Sequence, residues 1–501
     1  MDGGMIRVDF ARSAGPLRPI WRSIGYDEIN WTYTPRGRSL YETLGQIFGG
    51  PLAVRNHNAF TSGNGLSSPA WGSTNLYHET DSGQMCLDWT WSDQIYDVFV
   101  ERECVPIVEL GFMPRDLSSH PSDLTGYTPG RGAGGEPYES RAWTYPPKSY
   151  TRWREFCQAF VAHLVDRYGP RRIREWRFEV WNEPDIPHYW RGSCEEYCQL
   201  YEASVAGVTA ALRDAQVGGP ATTDHGPEFL ARVLDRVSRL DFASFHSKGA
   251  YYSVRRNYNP LRPPPREAPS LARMLHDIER NTAIIRDRFP NIPILVDECD
   301  PAVGTIYGVF DNPSFVVCNS TYYPTMLCAL AAKLLDMGHI DLFTSWAFYF
   351  EGKRWFEGNR ALVTNANVEL PVLDGFRMLE RLGDRRASAS VDGADAGLGV
   401  LAGDRAAILY NHVDAWWEAG ATPVTVQLEH AGTAVRFWGL GDSYSCWLGM
   451  GSPQNPTDEQ TSALRRAAGL KLLAIVPTTG GRVVHTVEVP QHQAVLCEIV
   501  P

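Results

Sequence analysis

No long apolar run appears in this sequence. Across 501 residues nothing approaches the roughly 20 consecutive apolar residues a membrane-spanning helix needs. Basic excess is missing too, with 47 Lys and Arg against 58 Asp and Glu and a net charge of −11. Nucleic acid and anionic membranes select basic surfaces, so neither is an expected partner. Met1–Phe10 has no basic region followed by an apolar stretch, which reads as no signal peptide and a cytoplasmic location. The ten cysteines (86, 104, 157, 194, 198, 299, 318, 328, 446 and 497) fit no zinc or redox spacing and are expected to be reduced and mostly buried. No His-x-His or His-Glu-x-x-His occurs, so metal chemistry is the weaker alternative. No G-x-G-x-x-G follows a first strand, which removes the phosphate cradle of a dinucleotide fold. No cofactor is expected.

What the sequence has is apolar bulk and rings. Hydrophobic residues make up 44%, ample for a large domain plus a smaller one, and 16 Trp, 22 Tyr and 20 Phe bring aromatics to 12%. Most of these rings must be core; some could stack on the flat faces of sugars.

Phe178-Glu-Val-Trp-Asn-Glu-Pro184 organises the chain. A buried-strand pattern runs into Asn182-Glu183 and is stopped by proline, which sets a carboxylate at a strand's C-terminal end, where parallel barrels carry their chemistry. Ile292–Pro301 repeats the form, ending at Glu298 and Asp300. Two glutamates at the ends of two buried strands are what glycoside hydrolysis requires, one as acid and one as nucleophile or base. Further apolar runs begin at Trp21, Leu52, Cys104, Ala215, Asp241 and Asp341, and helical patterns lie between them. Eight strands alternating with helices predict a (β/α)8 TIM barrel over residues 15–385. From about Ala387 short alternating strands separated by turns predict a C-terminal β-sandwich over residues 386–501, joined by an N-terminal strand within 1–14. Met113–Lys148 and Tyr251–Pro269 are long aperiodic segments after strands three and six, expected to wall a closed pocket.

Strand ends offer polar groups to one rim: Arg55 and His57, Asn182 and Glu183, His246 and Lys248, Glu298 and Asp300, and Glu351. Any one alone is more often a structural hydrogen-bonder; their convergence points to a substrate. Neighbouring carboxylates cannot both ionise freely, so one should be a proton donor. Glu183 is assigned as acid/base, with Asn182 placed for the hydroxyl beside the anomeric carbon, and Glu298 as nucleophile. Sequence gives no separation between them, so retention and inversion stay open at this point.

With Trp181-Asn-Glu-Pro184 and Val296-Asp-Glu-Cys-Asp-Pro301 in place, the chain resembles glycoside hydrolase family 39, which holds β-xylosidases and α-L-iduronidases. Val54-Arg-Asn-His57, Val108–Pro114, Tyr145-Pro-Pro-Lys148, Asp241–His246 and Trp346–Glu351 carry the likeness further. The resemblance implies a retaining mechanism with Glu183 as acid/base and Glu298 as nucleophile, and substrate contacts at His57, Asn182, His246, Trp346 and Glu351. Lys248, Gly304 and Arg360 look like the iduronidase segments that hold a uronic carboxylate. Met113-Pro, Tyr145-Pro-Pro-Lys and the Pro/Gly-rich third loop look more like the bacterial xylosidases. Family xylosidases usually carry His-Gly where this chain has His57-Asn58. The reading adopted is a retaining exo-glycosidase, a β-D-xylosidase acting on xylo-oligosaccharides. Iduronidase-like or arabinosidase activity, an endo-glycanase of another barrel family, and an inactive sugar-binding barrel are the alternatives. A homo-oligomer is left open.

Overall fold

The computed structural model describes residues 4–63, 72–123, 142–250, 268–302, 309, 312–346, 354–358, 360–364, 366–393 and 396–501. Its central sheet is a closed ring of parallel strands. Ser23–Tyr26 pairs with Ala53–Asn56, which pairs with Val105–Leu110, Arg177–Val180, Gln216–Thr222, Phe242–Lys248 and Ile294–Asp300 in turn. The eighth strand is split at Thr344. Its first half, Leu342–Phe343, pairs with Leu295 and Val296, and its second half, Ser345–Trp346, pairs with Ile24 and Gly25. That change of partner closes the sheet, and it gives the eight-stranded barrel expected from the alternation of strand and helix. The ends of the first seven strands differ from the sequence boundaries by a residue or two, as frayed ends do, and the part of the expected eighth strand beyond Trp346 lies outside the described residues.

Side chains alternate along a strand, so residues two apart share a face. Ala53, Ile107, Phe242, Leu295 and Leu342 form their own apolar cluster inside the barrel, at the strand starts. Two residues further along four of these strands stand Arg55, Glu109, Ser244 and Asp297, all buried, joined by Glu179 from the fourth strand. The barrel is thus plugged by hydrocarbon below and ionic above. Glu298 should then face outward, yet both Asp297 and Glu298 reach Arg55. The register against Phe242–Lys248 slips between Val296 and Glu298. A bulge of this kind re-aims a side chain, and here it turns two successive carboxylates inward.

Tyr77–Glu79 and Met85–Leu87 form a two-stranded antiparallel ribbon, and the remaining strands form two further sheets. One orders Arg385–Asp392, Gly4–Pro16, Ala421–Glu429 and Arg482–Pro490; the other orders Leu398–Ala402, Ala406–Asn411, Gln493–Val500, Ala434–Gly439 and Lys471–Pro477. Ile6, Val8, Phe10, Val424, Val426, Leu428, Val435 and Phe437 pack in one apolar core between them. The N-terminal strand lies in the first sheet, antiparallel to Arg385–Asp392 and parallel to Ala421–Glu429. Sequence periodicity missed two helices inserted between strands of the second sheet, Ser443–Gly449 and Asp458–Ala467. The first is only two turns long, and prolines at 453 and 456 break the pattern between them. Much of the two long segments expected to wall the pocket lies outside the described residues.

Candidate active site

The turn after the fourth strand holds Glu183 in an unusual backbone state. Trp181 and Glu183 take φ of 71° and 44°, the left-handed region that side chains other than glycine and asparagine rarely enter. Neighbours impose it. Trp181 is fully buried, its indole donates to the Tyr189 carbonyl at 2.8 Å, and its ring packs edge-on to Phe112 and Trp190. The Glu183 amide donates to the Ala221 carbonyl at 3.0 Å. Backbone strain of this sort persists where the surroundings over-determine it, and it is common at functional sites. The Glu183 side chain is 14% exposed, whereas that of Glu298 is 6% exposed, so the first stands nearer the mouth and the second nearer the floor.

Cations surround Glu298. One oxygen accepts from Arg55 at 3.2 Å and lies 3.4 Å from His57 Nε2; the other accepts from Lys248 Nζ and lies 3.6 Å from Arg360. Asp300, two residues further along the strand, binds the same two cations, Lys248 at 3.1 Å and Arg360 at 2.8 Å. Its other oxygen accepts from the Trp346 amide at 2.8 Å and the Tyr323 hydroxyl at 3.1 Å. His246 Nδ1 is 2.7 Å from Glu183 Oε1. A carboxylate oxygen of Glu183, a ring nitrogen of His246 and a carboxylate oxygen of Glu298 all lie within 4.8 Å of one another.

These surroundings drive the two glutamates apart. Burial and then the Glu298 charge push the Glu183 carboxyl well above the usual carboxylate range. For Glu298 burial also acts upward, but His246, Lys248 and His57 outweigh it and hold the group well below that range. His57 is cationic: burial is overcome by Glu109 and Asp27, which raise it to about 10. His246 is pushed well below an ordinary imidazole by burial, with Arg55 and Lys248 adding to the effect against the pull of Glu298. A charged His246 and an ionised Glu298 would favour each other, so their titrations are linked. Burial decides for neutral imidazole, which leaves Lys248 and His57 as the charges that keep Glu298 ionised. The site therefore holds a protonated carboxylic acid at its mouth and a carboxylate at its floor.

Arg55 is the hub beneath. It donates to Glu179 at 2.6 Å and to Asn182 Oδ1 at 3.0 Å, and lies 3.3 Å from Glu109 and 3.5 Å from Asp297. One guanidinium cannot balance so many carboxylates. Burial and the Glu179 charge accordingly raise Asp297 well above the usual range, so that it is protonated.

Among the residues expected from the sequence, Glu183, Glu298, Asn182, His57, His246, Lys248, Trp346 and Arg360 surround one site. Trp346 lies with its ring centroid 4.7 Å from that of His57 and 5.1 Å from the Arg55 guanidinium carbon. Arg55 and Asp300, also expected at the site, are 0% exposed and engaged with protein groups. Gly304 and Glu351 lie outside the described residues. Asn58 takes φ of 73°, a state open to asparagine as to glycine, and its side chain donates to the Asp27 carbonyl. Sequence reasoning missed Asp27, Glu109, Glu179, Asp297 and Tyr323. The signal was present for two of them: Glu109 and Glu179 each sit inside an otherwise apolar strand, where a buried carboxylate demands a partner. Glu183, His246 and Glu298 are close enough together to share a cation. Lys248, Arg55 and Arg360 already crowd Glu298 with positive charge, which opposes a metal there.

The known proteins this chain is similar to include glycosidases. A β-xylosidase from Geobacillus stearothermophilus is 27% identical over 467 residues, 88% of this chain and 86% of that one. An α-L-iduronidase from Canis lupus familiaris is 24% identical over 333 residues, 60% of this chain and 42% of that one. The crystal structure of a monomeric β-xylosidase from Caulobacter crescentus CB15 superposes over 99% of both chains with a TM-score of 0.80 at 23% identity. Residues 5–422 match the glycosyl hydrolases family 39 description, so the chain belongs to that family and is a glycoside hydrolase.

Proposed function

We propose that this glycoside hydrolase is a retaining, exo-acting β-D-xylosidase that removes terminal xylose from xylo-oligosaccharides. The observation that carries the mechanism is the approach of a Glu183 oxygen to a Glu298 oxygen within 4.8 Å, with the first group protonated and the second ionised. Retaining glycosidases hold their two carboxyl groups ~5–5.5 Å apart; inverting ones need ~6.5–9.5 Å to fit a water between. Glu298 attacks the anomeric carbon as the bond to the leaving oxygen breaks, and the Glu183 proton passes to that oxygen. Glu183, now a carboxylate, takes a proton from water, whose oxygen attacks the same carbon and releases Glu298. Asn182 receives from Arg55 at its oxygen, which leaves its amide N–H groups for the sugar's 2-hydroxyl.

The neutral sugar is favoured by how the cations are matched. Lys248 and Arg360 are both bound to Asp300, and both lie beside Glu298, so their charge is compensated without a substrate carboxylate. A uronate would have to draw them away from the nucleophile. A relative matched over 88% of this chain and 86% of its own length is also named a β-xylosidase. α-L-Iduronide hydrolysis is the second reading, favoured by the relatives named α-L-iduronidase among those the chain is similar to.

Initial rates on nitrophenyl β-D-xyloside, α-L-arabinofuranoside, α-L-arabinopyranoside and α-L-iduronide decide between them. The xyloside is expected to lead, and early NMR spectra should show β-xylose as the first product. A leading iduronide sinks the xylosidase reading, and α-xylose appearing first sinks retention.

A further inference from the structure

Among the described residues, four cations border Glu298, and three of them also hold another carboxylate. Lys248 and Arg360 share Asp300, and Arg55 holds Glu179. For the fourth, His57, the other carboxylate at Nε2 belongs to Asp27, the residue that follows the first strand. His57 Nε2 lies 3.3 Å from Asp27 Oδ1 and 3.4 Å from Glu298 Oε1, while Nδ1 is bound to Glu109. We propose that Asp27 is a positioning residue of the glycosidase reaction: it takes over the Nε2–H of His57 while Glu298 is covalently joined to the sugar, and gives it back when Glu298 is released. The inference rests on the two-step mechanism proposed above and not on which sugar is cleaved.

One N–H cannot point squarely at two oxygens. Both separations exceed the roughly 2.7–3.2 Å of an ordinary N–H···O bond, as in a three-centre bond shared between two acceptors. The share each acceptor takes follows its charge. Before attack Glu298 is a carboxylate and competes for the proton. Once its oxygen has bonded to the anomeric carbon that charge is gone, and a buried cation beside an ester is costly unless another anion faces it. Asp27 is that anion, reached by a small turn of the imidazole. No proton leaves His57; only its hydrogen bond changes partner. The carboxyl's own titration agrees, since burial raises it to about 7 against the pull of His57 and the Glu298 charge acts in the same direction as burial. Loss of that charge therefore favours ionised Asp27 in the glycosyl-enzyme.

Asp27 is fixed in place for this. It is 2% exposed, and its Oδ1 accepts at 3.1 Å from the indole of Trp346, the same ring that lies against His57. Its carbonyl accepts from the Ile29 amide at 2.9 Å and from Asn58 Nδ2 at 3.1 Å, and the Thr61 hydroxyl in turn donates to Asn58 Oδ1 at 2.8 Å. Asn58 is the residue that stands where family xylosidases usually carry glycine. Its side chain fixes the main chain of Asp27. A carboxylate held on both its side chain and its backbone needs little reorganisation when the charge on Glu298 changes.

Asp27→Asn keeps an acceptor oxygen for Trp346 and His57 and removes the charge. Dinitrophenyl 2-fluoro-β-D-xyloside, or the same derivative of whichever sugar the enzyme cleaves best, traps the glycosyl-enzyme, so the rate of inactivation reports its formation and the later return of activity reports its hydrolysis. In Asp27→Asn inactivation is expected to slow about tenfold, the difference between a charged and a neutral acceptor, while activity returns no more slowly than in wild type. Both rates falling together would mean that Asp27 only braces His57, and both unchanged would mean that it does nothing for the nucleophile; either overturns the proposal. If circular dichroism shows Asp27→Asn misfolded, Asn58→Gly, which suits the φ of 73°, decides in its place. It should slow inactivation less, again without slowing the return of activity, and equal falls or none overturn the proposal. A wild type that gains no fluorosugar mass on Glu298 shows that the two-step mechanism itself has failed, and the inference with it; normal labelling with unshifted variant rates sinks the inference alone.

Discussion

The barrel interior and the sandwich interior are built on opposite principles. Between the sandwich sheets the core is apolar, from Ile6 to Cys497, and among the described residues no Asp, Glu, Lys or Arg of these two sheets is buried. Above its apolar plug the barrel buries Arg55, His57, Glu109, Glu179, Asp297, Glu298 and Asp300 within a few ångströms of one another. Burial of that kind adds little net stability, since desolvation opposes the Coulomb gain. What it produces is a preorganised field, in which the proton rests on Glu183 and the charge on Glu298 before a substrate binds. One region is packed to hold the fold, the other to hold a difference in protonation.

The sharpest way to break the comparison is to remove the charge at the floor. Glu298→Gln should lower kcat by on the order of 10⁴-fold or more while circular dichroism stays native; activity above about one per cent of wild type would refute its role as nucleophile. Glu183→Gln should cost about 10²- to 10⁴-fold on substrates whose leaving group needs a proton, and far less on dinitrophenyl glycosides. Wild-type kcat/KM should trace a bell. Activity falls as pH drops through the depressed pKa of Glu298, and falls again as pH rises through the raised pKa of Glu183. Glu183→Gln should lose the alkaline limb and keep the acid one; an alkaline limb that persists would assign it to another group.

A matched pair of core substitutions sharpens the contrast. Arg55→Leu leaves Glu109, Glu179 and Glu298 without their common partner and should destabilise by about 3–5 kcal/mol, the usual cost of orphaning a buried charge, with activity lost as well. Leu428→Ala, in the sandwich core, should cost a comparable ~2–5 kcal/mol through the cavity it leaves. Its kcat, measured well below the melting temperature, should be that of wild type. Equal loss of kcat in both variants would mean that the two interiors are coupled and the distinction is false.

That distinction also explains what the sequence disclosed. Glu183, His246, Lys248 and Glu298 were legible because each ends an apolar strand, and in a parallel barrel every strand end meets the same rim. The eight-strand architecture followed from the same alternation. Asp297 was not legible. Counting by two along Ile294–Asp300 faces Glu298 away whenever Asp297 faces in, and only the slipped register between Val296 and Glu298 turns both inward. Nor could periodicity show that Phe356 meets Tyr444 and Trp447 of the helical insertion, because a contact between the last barrel loop and a sandwich insertion leaves no local pattern.

The seam between the two regions holds an exception, and it yields the smallest effect. His412 and His492 belong to the sandwich strands' ends but pack on Tyr322 of the barrel, with ring centroids 4.8 and 5.0 Å away. Burial lowers His412 to about 3, with His492 acting the same way, although Asp414 stands 3.8 Å off. An unfolded imidazole takes up its proton near pH 6.5, whereas the folded one does so only near pH 3, so protons favour the unfolded chain throughout that interval. Stability should therefore fall as pH drops below 6.5, by up to about 2 kcal/mol from this residue at pH 5. Melting temperatures of the wild type and of His412→Asn at pH 7 and pH 5 isolate the contribution. The variant should lose less on acidification than the wild type. Parallel losses would show that the acid sensitivity lies with the barrel's carboxylates and not at the seam.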